Sequence, residues 1–362
     1  MSLTAVAMSG GLDSSVTAWM LARAGHPVIG LSMLLWDHSG IEAHGRCCGA
    51  LDLGDARRVA QQAGIPHYTL RMDEEFRQKV VDPFVTDYLT GRTPSPCVRC
   101  NTWIKFDLLL ERARQLGAGR VATGHYARIL DGPDGPELHT AADPEKDQSY
   151  YLFELTREQL AASLFPLGAM SKREVREIAR EAGLVVAEKG ESMEVCFVSG
   201  GIREFVETQV AEHPERYAEV EMSAPARLVD TAGPELGEGQ PFYRYTVGQR
   251  RGLGLAAKSP LFVLAIEPEE NRVVVGEERE LLAPGLRGER LHWIGPAPDG
   301  DVEATVKIRS RHPGVAARIR PLDGGRVEID FAEPQRGVTP GQAAVFYRGT
   351  RVLGGCWIQD RL

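Results

Sequence analysis

The sequence predicts an α/β fold: a parallel sheet covered by helices in its first half, then a small central domain and a C-terminal β-barrel. Three observations carry that prediction. Short apolar runs alternate with stretches of helical periodicity from Thr4 to Leu116, the rhythm of parallel strands joined by right-handed crossovers. Near Gly200 the elements shorten and Gly and Pro begin to punctuate the chain. Beyond Leu291 apolar residues recur at alternate positions between regular turns, as expected of short antiparallel strands closing on themselves. The domains expected from these shifts are 1–200, 201–283 and 284–362.

The first element is the one with chemical content. Thr4 to Met8 runs into Ser9-Gly10-Gly11-Leu12-Asp13-Ser14-Ser15 and then into apolar residues at helical spacing, Val16 to Ala24. Strand, tight loop and helix in that order aim backbone N–H groups and the positive end of a helix at one point, a site for an anion such as phosphate. Glycines let the backbone approach closely, and Asp13 or Ser14 is placed to cap the helix. A plain strand-to-helix turn would use the same residues. No GxxxxGK[ST] and no GxGxxG is present, so neither a Walker A loop nor a dinucleotide fingerprint is read here.

Val28 to Leu35 reads as a second buried strand, followed by a polar loop with Gly45-Arg46-Cys47-Cys48-Gly49. A helix is expected over 52–63, a strand over 65–70 and an amphipathic helix over 74–89. In such a sheet a ligand sits beyond the carboxyl ends of the strands, where Ser9 to Ser14 lies. Thr93-Pro94-Ser95-Pro96-Cys97-Val98-Arg99-Cys100-Asn101 reads as a loop before a helix over 102–116. Its cysteines are inert thiols, half of a zinc site, or a reactive pair favoured by a helix N-terminus with Arg99 and Lys105 nearby.

Val121 to Tyr126 is an apolar strand ending at Gly124, where a ligand ring can approach the backbone; His125 beside it is more often structural than catalytic. A hairpin with a generous turn is expected over 128–140, and helices over 157–163 and 172–182. Lys146-Asp147-Gln148-Ser149-Tyr150-Tyr151 packs more charge and aromatic surface than a loop needs. Cys196 lies in a short strand or loop, where a lone cysteine is usually core filler. Val206 to Val220 is polar and Glu-rich. Tyr245 to Leu255 is a basic, glycine-rich loop, equally a solvated turn or a phosphate contact. Strands are expected over 303–310, 316–319, 326–331, 343–347 and 352–358, with Lys307, Arg309, Arg311, His312, Arg318 and Arg320 as a basic patch.

At 362 residues the chain is longer than one core usually serves. It is 43% hydrophobic and 25% charged, with six cysteines, too few for a disulfide scaffold. No segment approaches the apolar length of a membrane span and no basic-then-apolar leader opens the chain; a cytoplasmic, membrane-free monomer is expected. The net charge of −8 does not mark a nucleic-acid binder, but Leu281 to Leu362 carries 12 Lys and Arg against 9 Asp and Glu. An RNA contact would be local and lean on that part.

Taken together, SGGLDSS, TPSPCVRCNTWIKFD, ATGHYAR, KDQSYYL, ESMEVCF, YTVGQRRGLGL and TPGQAAVFY resemble, in order, the blocks of the tRNA-specific 2-thiouridylases of the MnmA type, within the SGGxDS ATP pyrophosphatases. The resemblance implies an ATP-pyrophosphatase (adenine nucleotide α-hydrolase-like) domain, a small central domain and a C-terminal barrel. It implies that ATP adenylates the 2-oxygen of the tRNA wobble uridine and that sulfur from a cysteine persulfide replaces that oxygen. Ala7, Met8, Ser9, Gly10, Gly11, Leu12, Asp13 and Ser14 would cradle the phosphates, with Met33 and Gly124 against the rest of the nucleotide. Cys196 would carry the persulfide, loaded by a persulfide-bearing donor protein, and Cys100 would finish in a reducible disulfide with it. Ser95, Pro96 and Cys97 would lie beside the target base, and Lys146, Asp147, Gln148, Arg311 and His312 would touch tRNA. Mg²⁺ is expected with ATP, with Asp13 a candidate ligand.

The chain departs from the family at two positions. Cys97 stands where many members carry aspartate, and Glu194 where glycine is usual. With Cys97, Cys100 and Cys196 as three thiolates, a 4Fe-4S cluster with one open iron is an alternative to the persulfide and disulfide route. Another SGGxDS enzyme, an amide-forming or argininosuccinate-like ligase, would share the loop but need no cysteine trio. Cys356 is expected to pack; Cys47 and Cys48 carry no assigned role.

Overall fold

The structure is a computed structural model that describes residues 2–36, 50–190, 195–198, 200–218, 224–257 and 259–362. Cys47, Cys48 and Glu194 lie outside the described residues. The chain forms two compact units: 1–81 with 96–198 and 350–353, and 82–95 with 199–349 and 354–362.

In the first unit β1 (Thr4–Ala7), α1 (Leu12–Arg23), β2 (Val28–Leu34), α2 (Ala50–Ala63), β3 (His67–Arg71), β4 (Arg120–Ala122), β5 (Ala127–Gly132), β6 (Gly135–Thr140) and β7 (Ser163–Leu164) follow in order. Five strands make one sheet in the order β3-β2-β1-β4-β7, and every pairing in it is parallel. Val6, Met8, Val16, Val28, Val59 and Ala122 lie in its buried core, the short apolar runs a two-sided parallel sheet demands. Chain order reverses between β1 and β4, so a crevice opens beyond their carboxyl ends.

Helix α1 starts at Gly11, whose extended backbone makes no side-chain cap. Asp13 and Ser14 do not cap it: the Ser14 hydroxyl takes the Ser9 N–H (3.2 Å) and donates to Gly11 O (3.2 Å) instead. At its other end Gly25, with φ +78°, turns the chain, and His26 N–H bonds Leu21 O, a glycine-dependent stop.

Two helices differ from expectation. The helix over 74–89 starts as Asp73–Phe76 and widens to a π-helix over Arg77–Val81 before Asp82–Leu89. The helix expected from Thr102 begins six residues earlier, at Pro96, because proline's fixed φ suits a first helical position. It is π-helical over Cys100–Leu108 and α-helical again over Leu109–Gln115. Cys97 and Cys100 are therefore helical residues, not loop residues. The β5–β6 hairpin closes with a two-residue turn, Pro133-Asp134, tighter than expected.

In the second unit β8 (Pro225–Val229), β9 (Glu235–Pro241), β10 (Phe262–Glu267) and β11 (Arg272–Gly276) form a sheet in the order β10-β11-β8-β9. The polar stretch after Gly200 contains a helix, Ile202–Glu212. Then β12 (Leu282–Trp293), β13 (Val302–Lys307), β14 (Val315–Leu322), β15 (Arg326–Arg336), β16 (Ala343–Arg348) and β17 (Arg351–Arg361) form a closed barrel, since β12 pairs with both β15 and β17. The closing strand begins nine residues before the alternation expected from Leu291. Pro284, Gly285 and Gly288 hide it, yet the glycines are required: a Cβ on Gly288 would lie 2.5 Å from Cys356 Sγ. Cys356 is buried there, and burial pushes its thiol pKa up, which suits packing rather than reactivity.

Candidate active site

A cleft of about 320 Å³ opens at the carboxyl ends of β1 and β4, where the reversal of strand order places a ligand. Of the expected nucleotide residues, Ala7, Ser9, Gly11, Leu12, Asp13, Ser14, Met33 and Gly124 line it, together with Lys146 and Gln148 from the expected tRNA set. Because no side chain caps α1, its first-turn N–H groups are left for a ligand.

Met8 and Gly10 shape the loop from behind. Met8 is buried and its carbonyl accepts the Ser32 hydroxyl at 2.6 Å. Gly10 has φ +73°, and a Cβ there would lie 2.0 Å from the backbone oxygen of Asp52. Gly124 is also close-packed, since a Cβ would sit 2.8 Å from Asp13 C and Ser14 N. Both glycines let two backbones meet where a side chain would hold them apart.

Sequence reasoning gave Lys105 only a place near the Cys97 and Cys100 thiols, and assigned no role to Lys172, Lys189 or Asp52, the other charges that complete the cleft. Lys105, Lys172, Lys189 and Asp52 line it with Lys146 and Asp13, so among the described residues four ammonium groups face two carboxylates inside a chain of net charge −8. Lys172 bonds both Asp13 oxygens at 2.8 Å, and Tyr126 donates its hydroxyl to Asp13 Oδ1 at 2.9 Å. Lys189 donates to Gly10 O at 2.9 Å, Asp52 Oδ1 at 2.5 Å and Asp55 Oδ2 at 2.6 Å. Partial burial pulls its pKa down, but the two carboxylates outweigh that and hold it above the ordinary lysine value.

One signal for Lys172 is in the sequence. Ser171 and Glu174 form a capping box, so Lys172 stands at the first helical position, where the helix dipole disfavours a cation. A lysine there answers to a tertiary partner. His125 is buried between Phe106 and Phe165, with Thr123 Oγ1 2.7 Å from its Nδ1. Burial, aided by the Lys105 charge, holds its pKa well below the ordinary value, so it faces the cleft as a neutral imidazole.

The remaining expected residues lie outside the cleft lining. Asp147 turns into its own loop, accepting from Ala141 N–H, Ser149 N–H and the Ser149 hydroxyl. Pro96 is buried, Cys97 exposed and Cys100 half-buried on the early turns of their helix. Cys196 is half-buried in a turn closed by Val198 N–H to Val195 O. Ser95, Arg311 and His312 belong to the second unit. His312 is buried, bonded to Gln335 Oε1 at 3.0 Å and to Gly314 N–H at 3.1 Å. Arg318 and Arg320 of the expected basic patch are paired with Asp301, Glu328 and Asp330.

Asp13 and Asp52 both line the cleft, and one or two carboxylates with substrate phosphates suit Mg²⁺; Asp13 would hold it by releasing the ammonium of Lys172. A cluster fits less well: among the described residues no three or more His, Cys, Asp or Glu side chains are arranged to hold a metal. No step is therefore routed through a 4Fe-4S group. Among the described residues, no helix is long and apolar enough to cross a membrane.

Comparison with known proteins gives three family matches: "tRNA methyl transferase HUP domain" over 3–200, "tRNA methyl transferase PRC-barrel domain" over 217–277 and "Aminomethyltransferase beta-barrel domain" over 283–358. The tRNA-specific 2-thiouridylase MnmA of Geobacter metallireducens is 51% identical over 98% of this chain and 95% of its own. That of Geotalea uraniireducens is 49% identical over 98% and 94%. A 4-thiouridine synthetase in complex with RNA and ATP is 16% identical with a TM-score of 0.32, covering 60% of this chain and 53% of its own; similarity at that level does not bear on function.

Proposed function

The chain belongs to the MnmA-type tRNA-specific 2-thiouridylases, ATP-dependent tRNA-uridine 2-sulfurtransferases, and from that premise we propose how its residues divide the reaction. The chemistry is assigned to residues 1–200, and tRNA contact is shared with 201–283 and 284–362.

The carrying observation is the cleft, where among the described residues four lysines and an uncapped helix start surround one space of about 320 Å³. ATP lies with its phosphates on Ser9 to Ser14 and its adenine toward Gly124 and Met33. The uridine 2-oxygen attacks the α-phosphorus, the bond to the bridging oxygen breaks, and pyrophosphate leaves with its charge offset by the lysines. Mg²⁺, held by Asp13, would neutralise phosphate charge. AMP on the 2-oxygen turns a poor electrophile into one with a leaving group.

Sulfur follows by exchange. The Cys196 thiolate takes the terminal sulfur of a donor protein's persulfide, and the donor leaves as thiolate. The terminal sulfur on Cys196 then attacks uridine C2, the C–O bond breaks and AMP departs. The Cys100 thiolate next attacks Cys196 Sγ; the S–S bond to the substrate breaks, 2-thiouridine is released, and the new Cys100–Cys196 disulfide is reduced by an external dithiol. Ser95 to Cys97 lie beside the base, and Lys146, Gln148 and the exposed Arg311 contact the tRNA, while Asp147 and the buried His312 hold the segments that present them.

The test separates the half-reactions. Cys100→Ser and Cys196→Ser should abolish 2-thiouridine, measured by mass spectrometry of digested tRNA, while tRNA-dependent pyrophosphate release persists. Undiminished AMP-forming product synthesis by the double variant would overturn the reading in favour of a ligase.

A further inference from the structure

The helix Lys172–Glu181 carries basic side chains at 172, 176 and 180, a four-residue spacing that puts them along one face. Lys172 grips Asp13 of the phosphate loop (2.8 Å). One turn on, Arg176 donates Nη1–H to Ala187 O at 2.6 Å and Nη2–H to Lys189 O at 3.3 Å. One turn further, Arg180 pairs with Glu188 at 2.7 Å. The stretch 187–189 is thus held on the same helix as the Asp13 partner, and Lys189 closes the circuit by donating to Gly10 O. Cys196 follows seven residues later, and directly after it Phe197 is buried, with Phe76 and Trp36 at centroid distances of 5.6 and 6.3 Å. Cys196 therefore stands in the chain between two held points, Lys189 on Gly10 and Phe197 among its aromatic neighbours.

We propose that Arg176 is a positioning residue that holds the Cys196 segment in register with the nucleotide cleft, so that sulfur delivery is coupled to adenylate formation. The inference rests on the sulfur-carrying role given to Cys196 above. Arg176 suits the task because a planar guanidinium can serve two carbonyls at once, which an ammonium does less well. The Arg180–Glu188 pair is exposed and contributes little. Arg176 is not among the residues that line the cleft, and Lys189, whose carbonyl it holds, keeps its ammonium on Gly10, Asp52 and Asp55 independently of it, so the nucleotide side can survive its removal.

The readout is the ratio of pyrophosphate released to 2-thiouridine formed, in full-length protein with tRNA, ATP and a low-molecular-weight persulfide as sulfur source. For Arg176→Met, pyrophosphate release should stay within about twofold of wild type while 2-thiouridine falls about tenfold, the scale of losing a charge-assisted bond pair. Arg176→Lys, which keeps the charge and reaches one carbonyl, should give an intermediate ratio and replaces the Met variant if that one fails to fold. A wild-type ratio in these variants, with both products lowered together or neither lowered, overturns the proposal, because a merely structural arginine would act on both steps alike. Wild-type protein that releases pyrophosphate but forms no 2-thiouridine would instead refute the thiolation reading itself.

Discussion

Lys172 and Asp13, 159 residues apart in the chain, meet with the ammonium 2.8 Å from each carboxylate oxygen. The lysine is deeply set, with a side chain 14% exposed, and its charge lines the cleft proposed to hold the ATP phosphates. Lys172→Met should lower tRNA-dependent pyrophosphate release about 10²-fold, the usual cost of removing one stabilising group from a transition state. Single-turnover kinetics checks it; a fall of less than about threefold would assign Lys172 to structure alone.

Gly10→Ala should fail in two ways. The residue sits at φ +73°, and its new methyl would meet Asp52 O at 2.0 Å. Backbone strain alone costs about 1–3 kcal/mol, and relieving the clash must separate the phosphate loop from α2. Urea unfolding should show the loss of stability, and ATP binding by calorimetry should disappear with it. Wild-type affinity in a destabilised variant would mean that the loop tolerates the shift.

His125 should make the fold acid-sensitive. Its folded pKa is depressed by burial, so below about pH 6.5 the unfolded chain takes a proton that the folded chain refuses. Its contribution is complete above that pH and is lost as pH falls toward the folded value, by at most about 1.4 kcal/mol per unit. His125→Asn should therefore unfold with a flatter acid limb. The stability gap between wild type and variant should narrow from about pH 7 to about pH 5; a constant gap would contradict the assignment.

Arg311 and His312 are neighbours with separable roles. His312 is buried on Gln335 and Gly314, whereas Arg311 is exposed. Arg311→Ala should weaken tRNA binding and lower its salt slope by about one without changing stability. His312→Ala should instead cost about 1–3 kcal/mol through unpaired barrel groups. Filter binding across a salt series and thermal unfolding distinguish the two.

Much of the fold was legible because it is written locally. The phosphate loop, the strand rhythm of the first unit and most barrel strands show in short-range periodicity, since side chains on one face recur at fixed intervals. Elements were missed where that code is silent. Nothing in Cys100 to Leu108 announces a π-helix, whose extra residue per turn has no propensity signature. In Leu282 to Trp293 the glycines that allow close strand approach also erase the strand pattern.

The sequence by itself determined the family and the strand, loop and helix around Ser9 to Ser14, because both depend on residue types at fixed short spacings. Only the tertiary structure decided that Lys105, Lys146, Lys172 and Lys189 share one cleft and that Arg176 holds the carbonyls of 187 and 189. The physical reason is the strand order. The pairing of β4 beside β1 joins segments more than a hundred residues apart, and no local pattern records which distant lysine will find which carboxylate.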